Sequence, residues 1–172
     1  MARYAASIVS QATQLAGVNS TTTVNGYMGY WGGSATAGFR LRRLGLGVIA
    51  GAGVPTSQQV DVAIFRQTVA PSGTGIAAAV PGQPMETHTP QTDPTAGVFA
   101  ITATTIGTTG PTLATNPLAI VTFNTQSSID NPWEFVEELV CAIGTANGIA
   151  FVNFTNTLPA SHKIRLNLEI EV

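Results

Sequence analysis

At 172 residues the chain has the length of one domain and can bury a core of its own. Its charged fraction of 9% and net charge of −2 give no electrostatic case for nucleic acid or an anionic membrane surface as partner. With a single cysteine, Cys141, an intrachain disulfide is excluded, and no apolar run approaches the roughly 20 residues of a membrane-spanning helix.

Polarity comes instead from uncharged groups, with 24 Thr and 18 Gly among them. Threonine is β-branched and favours strands, while Gly, Asn and Pro punctuate turns, so the composition predicts an all-β domain. So few charges leave little to keep copies apart, which suits a subunit of an assembly. The start, Met-Ala-Arg-Tyr-Ala-Ala-Ser, lacks the apolar core of a signal peptide; the expectation is synthesis in a cytoplasm without general secretory export.

Residues 1–36 read as an N-terminal arm that makes inter-subunit contacts. Tyr4, Ile8 and Val9 fit a short strand or half-turn, and Tyr27, Met28, Tyr30 and Trp31 lie in a glycine-rich stretch. Those four side chains either pack on their own domain or dock on a neighbouring subunit. From Phe39 a β-sandwich domain runs to residue 172. Phe39 and Leu41 share one parity, and Leu44, Leu46 and Val48 the other, so a bulge is expected at Arg42–Arg43. Gly45 and Gly47 fill the opposite face, where a second backbone is expected to approach. Val60, Val62 and Ile64 alternate with Asp61 and Ala63 in the next strand.

Residues 69–96 form a long surface excursion, broken by Pro71, Pro81, Pro84, Pro90 and Pro94; only 76–80 can be strand there. Val98–Thr104 and Leu118–Asn124 read as strands. Asn131, Pro132 and Glu134 make a helix-start signature, predicting at most a turn or two of helix near 131–137 and then a strand over 138–143. A full helix to Ala142 also fits the spacing of Trp133, Val136, Val140 and Ile143. After an Asn147-Gly148 turn, Ile149–Asn153 is a strand. Ile164, Leu166, Leu168, Ile170 and Val172 then alternate with Lys163, Arg165, Asn167, Glu169 and Glu171, a strand with one apolar and one charged face. That charged face is expected to lie at the rim of a subunit interface.

Catalytic chemistry finds no constellation. His88 and His162 are far apart in sequence, and Cys141 sits in an apolar run as a buried thiol. Glu134, Glu137 and Glu138 cluster at the expected helix start, where carboxylates are favoured by the dipole. The stretch Gly45–Gly51 lacks the spacing of a phosphate-binding loop. The sequons at Asn19 and Asn153 have no secretory context. The expectation is no enzyme, no metal, no cofactor and no small-molecule substrate.

The order of elements carries a resemblance. An aromatic-rich arm precedes Phe39-Arg40-Leu41-Arg42-Arg43-Leu44-Gly45-Leu46-Gly47-Val48. A Pro/Thr/Ala excursion follows, then Asn147-Gly148-Ile149-Ala150-Phe151-Val152-Asn153 and the alternating strand to the C-terminus. Over residues 37–172 this resembles the small jelly-roll decoration, or cement, proteins of tailed-bacteriophage capsids. The resemblance implies a jelly-roll β-sandwich, usually a homotrimer, made in the bacterial host cytoplasm. It would sit on the virion surface and clamp neighbouring major-capsid subunits. It carries over no residue roles. The interface candidates are Tyr4, Tyr27, Met28, Tyr30, Trp31, Arg40, Arg42, Arg43, Glu169 and Glu171. The competing expectation is a receptor- or glycan-binding head of a phage fibre, with 69–96 as the recognition surface.

Overall fold

A computed structural model describes residues 3–10, 27–31, 38–50, 56–69, 80–81, 83–84, 97–100, 112–127, 129–143, 147–154, 158 and 162–171. The described residues contain no helix. They form β1 (Arg3–Val9), β2 (Tyr27–Trp31), β3 (Phe39–Ile49), β4 (Gln59–Val69), β5 (Val80–Pro81) and β6 (Gln83–Pro84). The second half supplies β7 (Gly97–Ala100), β8 (Thr112–Leu113), β9 (Ala119–Asn124), β10 (Ile129–Cys141), β11 (Gly148–Asn153) and β12 (Lys163–Glu171). The first sheet runs β10-β3-β12-β1-β6. The second runs β5-β7-β2-β11-β4, with β9 and β8 both against β4.

Nested antiparallel pairing sets the architecture. β1 pairs with β12, β2 with β11, β3 with β10 and β4 with β9. The chain is thus one long two-stranded ribbon, rolled so that successive rungs fall in alternate sheets. Rolling also brings β3 against β12 and β4 against β11. This is the winding of a jelly-roll sandwich.

The core lies between the sheets, and period-two alternation explains who enters it. On β12, Ile164, Leu166, Leu168 and Ile170 are buried, while the alternate positions Lys163, Arg165, Asn167 and Glu169 are not. On β3 the pairing passes from Glu169↔Arg43 to Ile170↔Leu41, which leaves Arg42 as the extra residue. The expected bulge is there, and it lets Leu41 and Leu44 both face inward despite their opposite parity. From the second sheet Val60, Val62, Ile64, Ile149, Phe151 and Met28 complete the cluster. β4 and β11 are also buried on their other face, through Ala63, Phe65, Ala150 and Val152. Asp61 on that face accepts hydrogen bonds from Thr122 Oγ1 (2.7 Å) and Gln59 Nε2 (3.3 Å), which offsets its loss of solvent.

One expectation is corrected. The described parts of residues 1–36 are strands inside the sandwich, not an arm lying off it. β1 is sandwiched between β12 and β6, and β2 between β11 and β7. The reason is that an arm of period-two apolar residues finds backbone partners at the far end of its own chain, from Tyr4↔Ile170 to Val9↔Arg165. Residues 129–141 are strand throughout, with neither the short helix near 131–137 nor the longer alternative. Two register shifts against β3 let this segment pair despite Pro132 and its helix-start pattern. The excursion also departs from expectation. β5 holds only Val80 of the expected strand, the rest of which lies outside the described residues, while β6 extends the first sheet beyond β1; β7 falls on the strand expected over 98–104, whose remainder lies outside the described residues. Pro81 and Pro84 fall on the outermost strands, where a missing donor breaks no interior ladder.

The close backbone approach expected at Gly45 occurs at Gly38. A Cβ on Gly38 would overlap the carbonyl oxygen of Cys141, whereas one on Gly45 would sit in ordinary contact, 3.5 Å from the Asn167 side chain. Gly38→Ala should therefore destabilise the fold by about 1–3 kcal/mol, and Gly45→Ala by no more than about 0.5 kcal/mol. Urea unfolding of the two variants checks the contrast.

Candidate interaction surface

The outer face of the first sheet gathers six of the chain's seven Lys and Arg, together with Glu169 and Glu171. Bulge geometry and register place Arg40, Arg42 and Arg43 of β3 beside Glu169 and Glu171 of β12. Arg42 donates to Glu171 through Nε and also approaches it through Nη2. Glu169 is held from both sides, by Arg3 Nη1 of β1 at 3.3 Å and Arg43 Nε of β3 at 3.6 Å. β12 lies between β1 and β3, so its carboxylates face cations on either flank. With Arg3 at 55% side-chain exposure, its pair with Glu169 is worth only ~0.2–1 kcal/mol; it orders the surface more than it stabilises the fold.

Hydrogen bonding from Arg42 holds the Glu171 carboxyl below its ordinary value of 4.5, with burial opposing. Because the folded-state value is lowered, the unfolded state binds more protons as the solution is acidified. The stabilisation is present above pH 4.5 and is lost as pH falls through that value toward the folded one. Thermal melting followed against pH should show a shallower acid limb for Glu171→Gln, with the two proteins converging at the acid end.

Away from this network the face turns uncharged: Ser7 Oγ donates to Asn167 Oδ1 at 2.6 Å, next to Gly45. At its far end Lys163 and Arg165 sit in register with the exposed apolar Ile49 and Val9. An open cleft of about 320 Å³ adjoins the charged end, lined by Gly38, Phe39, Arg40, Val140, Cys141 and Glu171, among others. Burial pushes the Cys141 thiol up to about 11, with Arg66 opposing, so the thiolate needed for nucleophilic attack is scarce at neutral pH. A second apolar patch comprises Leu118 and Ile120, where β9 borders β4.

The remaining predicted residues are placed as follows. Tyr4 and Met28 are 5% and 1% exposed in the protein's own core, which removes both from any partner surface. Burial wins because β1 and β2 are interior strands whose inward parity these side chains occupy. Tyr27, Tyr30 and Trp31 take part in the β2 ladder, but their side chains lie outside the described residues. Glu134, Glu137 and Glu138 are on β10, with side chains likewise outside them; His88 lies outside altogether. His162 is buried at the start of β12. Among the described residues no group of three or more His, Cys, Asp and Glu is placed to hold a metal ion. Sequence reasoning put Lys163 and Arg165 on this charged face but omitted Arg3, although the alternation Arg3-Ala5-Ser7 against Tyr4 and Ala6 held the signal. Comparisons with protein-family models, with curated proteins and with solved structures find no match for this chain.

Proposed function

We propose that this protein is a non-enzymatic structural component of a virion. It is a capsid decoration or cement protein that binds the outer surface of a tailed-bacteriophage head and stabilises the major-capsid lattice. It is made in the bacterial host cytoplasm and acts as a homotrimer. The observation that carries the reading is the outer face of the first sheet, where Arg–Glu pairs, an uncharged centre and exposed Val9 and Ile49 lie together on one sheet. Arginine with apolar neighbours on a flat surface is the composition of protein–protein contact, and clamping a shell requires contact area, not a reactive group. A sparsely charged sequence lets many copies sit side by side with little repulsion.

Addition of purified protein to phage heads stripped of it tests this. Co-sedimentation saturating at a fixed copy number per capsid subunit is the expected result. No binding to heads, with retention on a glycan array, would replace the reading with a receptor-binding head.

A further inference from the structure

An edge strand presents a row of unpaired N–H and C=O groups to any other strand, and natural sheets blunt such edges with prolines, charges or bulges. At three of the four sheet edges among the described residues the outermost strand carries a proline: Pro84 on β6, Pro81 on β5 and Pro132 on β10. The fourth edge is β9, continued by β8. β9 pairs with β4 over six residues without a register shift, and it has no proline, glycine or charged residue. Its phase on β4 is fixed from both sides. Thr125 N–H donates to the Gln58 carbonyl at 2.9 Å, and Phe154 N–H, just past β11, donates to the Asp61 carbonyl at 2.8 Å. Even-numbered β4 residues therefore bond β9, and odd-numbered ones bond β11. Antiparallel alternation then leaves Ile120 and Thr122 with N–H and C=O turned to the open edge. The Thr122 hydroxyl donates back to Asp61 at 2.7 Å, so that edge is offered by the backbone alone.

We propose that β9 is the docking edge for a second copy of this chain, β9 against β9 across a two-fold axis, joining the second sheets of two copies into one. A single antiparallel register uses both open residues. Val121 lies on the axis, and Ile120 of each copy stands opposite Thr122 of the other, so all the outward N–H and C=O groups of these residues bond one another. The edge itself selects the occupant. It takes an uncharged strand whose outward groups repeat at the same spacing, and β9 is such a strand. Self-pairing sets no like charges opposite one another, whereas a charged partner strand would find no opposite charge on β9. The two Val121 side chains, which pack against the core of their own copy, meet on the inner face. The contact is isologous. It lies on the other sheet from the proposed capsid contact, is separate from the three-fold contact of the proposed trimer, and holds whether or not the protein decorates a capsid.

Sedimentation equilibrium and cysteine cross-linking test the edge. Ile120→Pro removes an outward N–H and no bond to β4, so its thermal transition should persist. The mass of the associated species should fall by half, from a dimer to a monomer or from a hexamer to the proposed trimer. Val121→Cys and Ile120→Cys supply a contrast that does not depend on the proline variant folding. Across the axis the two 121 positions form a non-hydrogen-bonded pair with Cα atoms about 4.5 Å apart, within disulfide reach. The two 120 positions are diagonal neighbours roughly 7–8 Å apart, beyond it. With oxidised glutathione, Val121→Cys should cross-link copies at least tenfold faster than Ile120→Cys, although Ile120 is 48% exposed and Val121 only half-buried to solvent. Both variants share the buried Cys141 as background. Cross-linking of Ile120→Cys as fast as Val121→Cys would reflect random collision and overturn the two-fold register. A mass unchanged by Ile120→Pro would overturn the edge while leaving any trimer in place. Wild-type protein that never doubles, yet loses binding to stripped heads on Ile120→Pro, would give the edge to a strand of the capsid subunit.

Discussion

Phe151→Ala should lower the unfolding free energy by about 3–5 kcal/mol, the usual cost of emptying a buried aromatic site. Phe151 is 0% exposed and sits in the middle of β11, in register with Met28 of β2 on one side and Ile64 of β4 on the other. These three side chains make up the centre of the second sheet's contribution to the core. Set against a typical domain stability of about 5–15 kcal/mol, the loss is about a fifth or more of the total. In urea the midpoint should fall while the slope stays unchanged. Ile120→Ala, at a position 48% exposed, should change stability by only about 0.5 kcal/mol. Equal effects at the two sites would contradict this placement of the core.

Removal of residues 1–31 should abolish the cooperative fold, not merely an assembly contact. The deletion takes away β1 and β2, and with them Tyr4, Ala6 and Met28 from the core. It also breaks the ladders that end at Arg3↔Glu171 and at Gly148↔Trp31. Burying Tyr4 and Met28 is worth roughly 1.5–3 kcal/mol each, before the lost hydrogen bonding is counted. The deletion also removes Ser10, which is buried at the end of β1 and exchanges two 2.8 Å bonds with Ile164. The exposed flanks of β12 and β11 would then invite edge-to-edge aggregation. Loss of a sharp thermal transition and rapid proteolysis of the truncated chain are the expected readouts. A truncated protein that melts as cooperatively as the full chain would restore the picture of a detachable arm.

Legibility followed the range of the interactions. β12 was legible because ten residues of strict alternation admit no helix, and the Arg42 bulge because Leu41 and Leu44 cannot both face inward without it. β10 was legible only from Glu138 onward, since Asn131, Pro132 and Glu134 have the local chemistry of a helix start. Pairing with β3, which local propensity cannot register, decides the outcome there. β1 and β2 were obscured for the same reason: their partners lie at the opposite end of the chain. The charged face of β12 stood out in the sequence, but its neutralisation by Arg3, Arg42 and Arg43 depends on strand order and on the reach conferred by the bulge. The rim-of-interface expectation for Glu169 and Glu171 thus acquires an alternative within the chain itself.

The most direct test of the structural-protein account is to fractionate the native source by sedimentation and image, by negative stain, the particles that carry this chain. The account predicts that it co-sediments with regular shells at a fixed ratio to their main subunit and decorates their outer surface. Recovery of the whole pool as a small soluble species, with none on any shell, would contradict it.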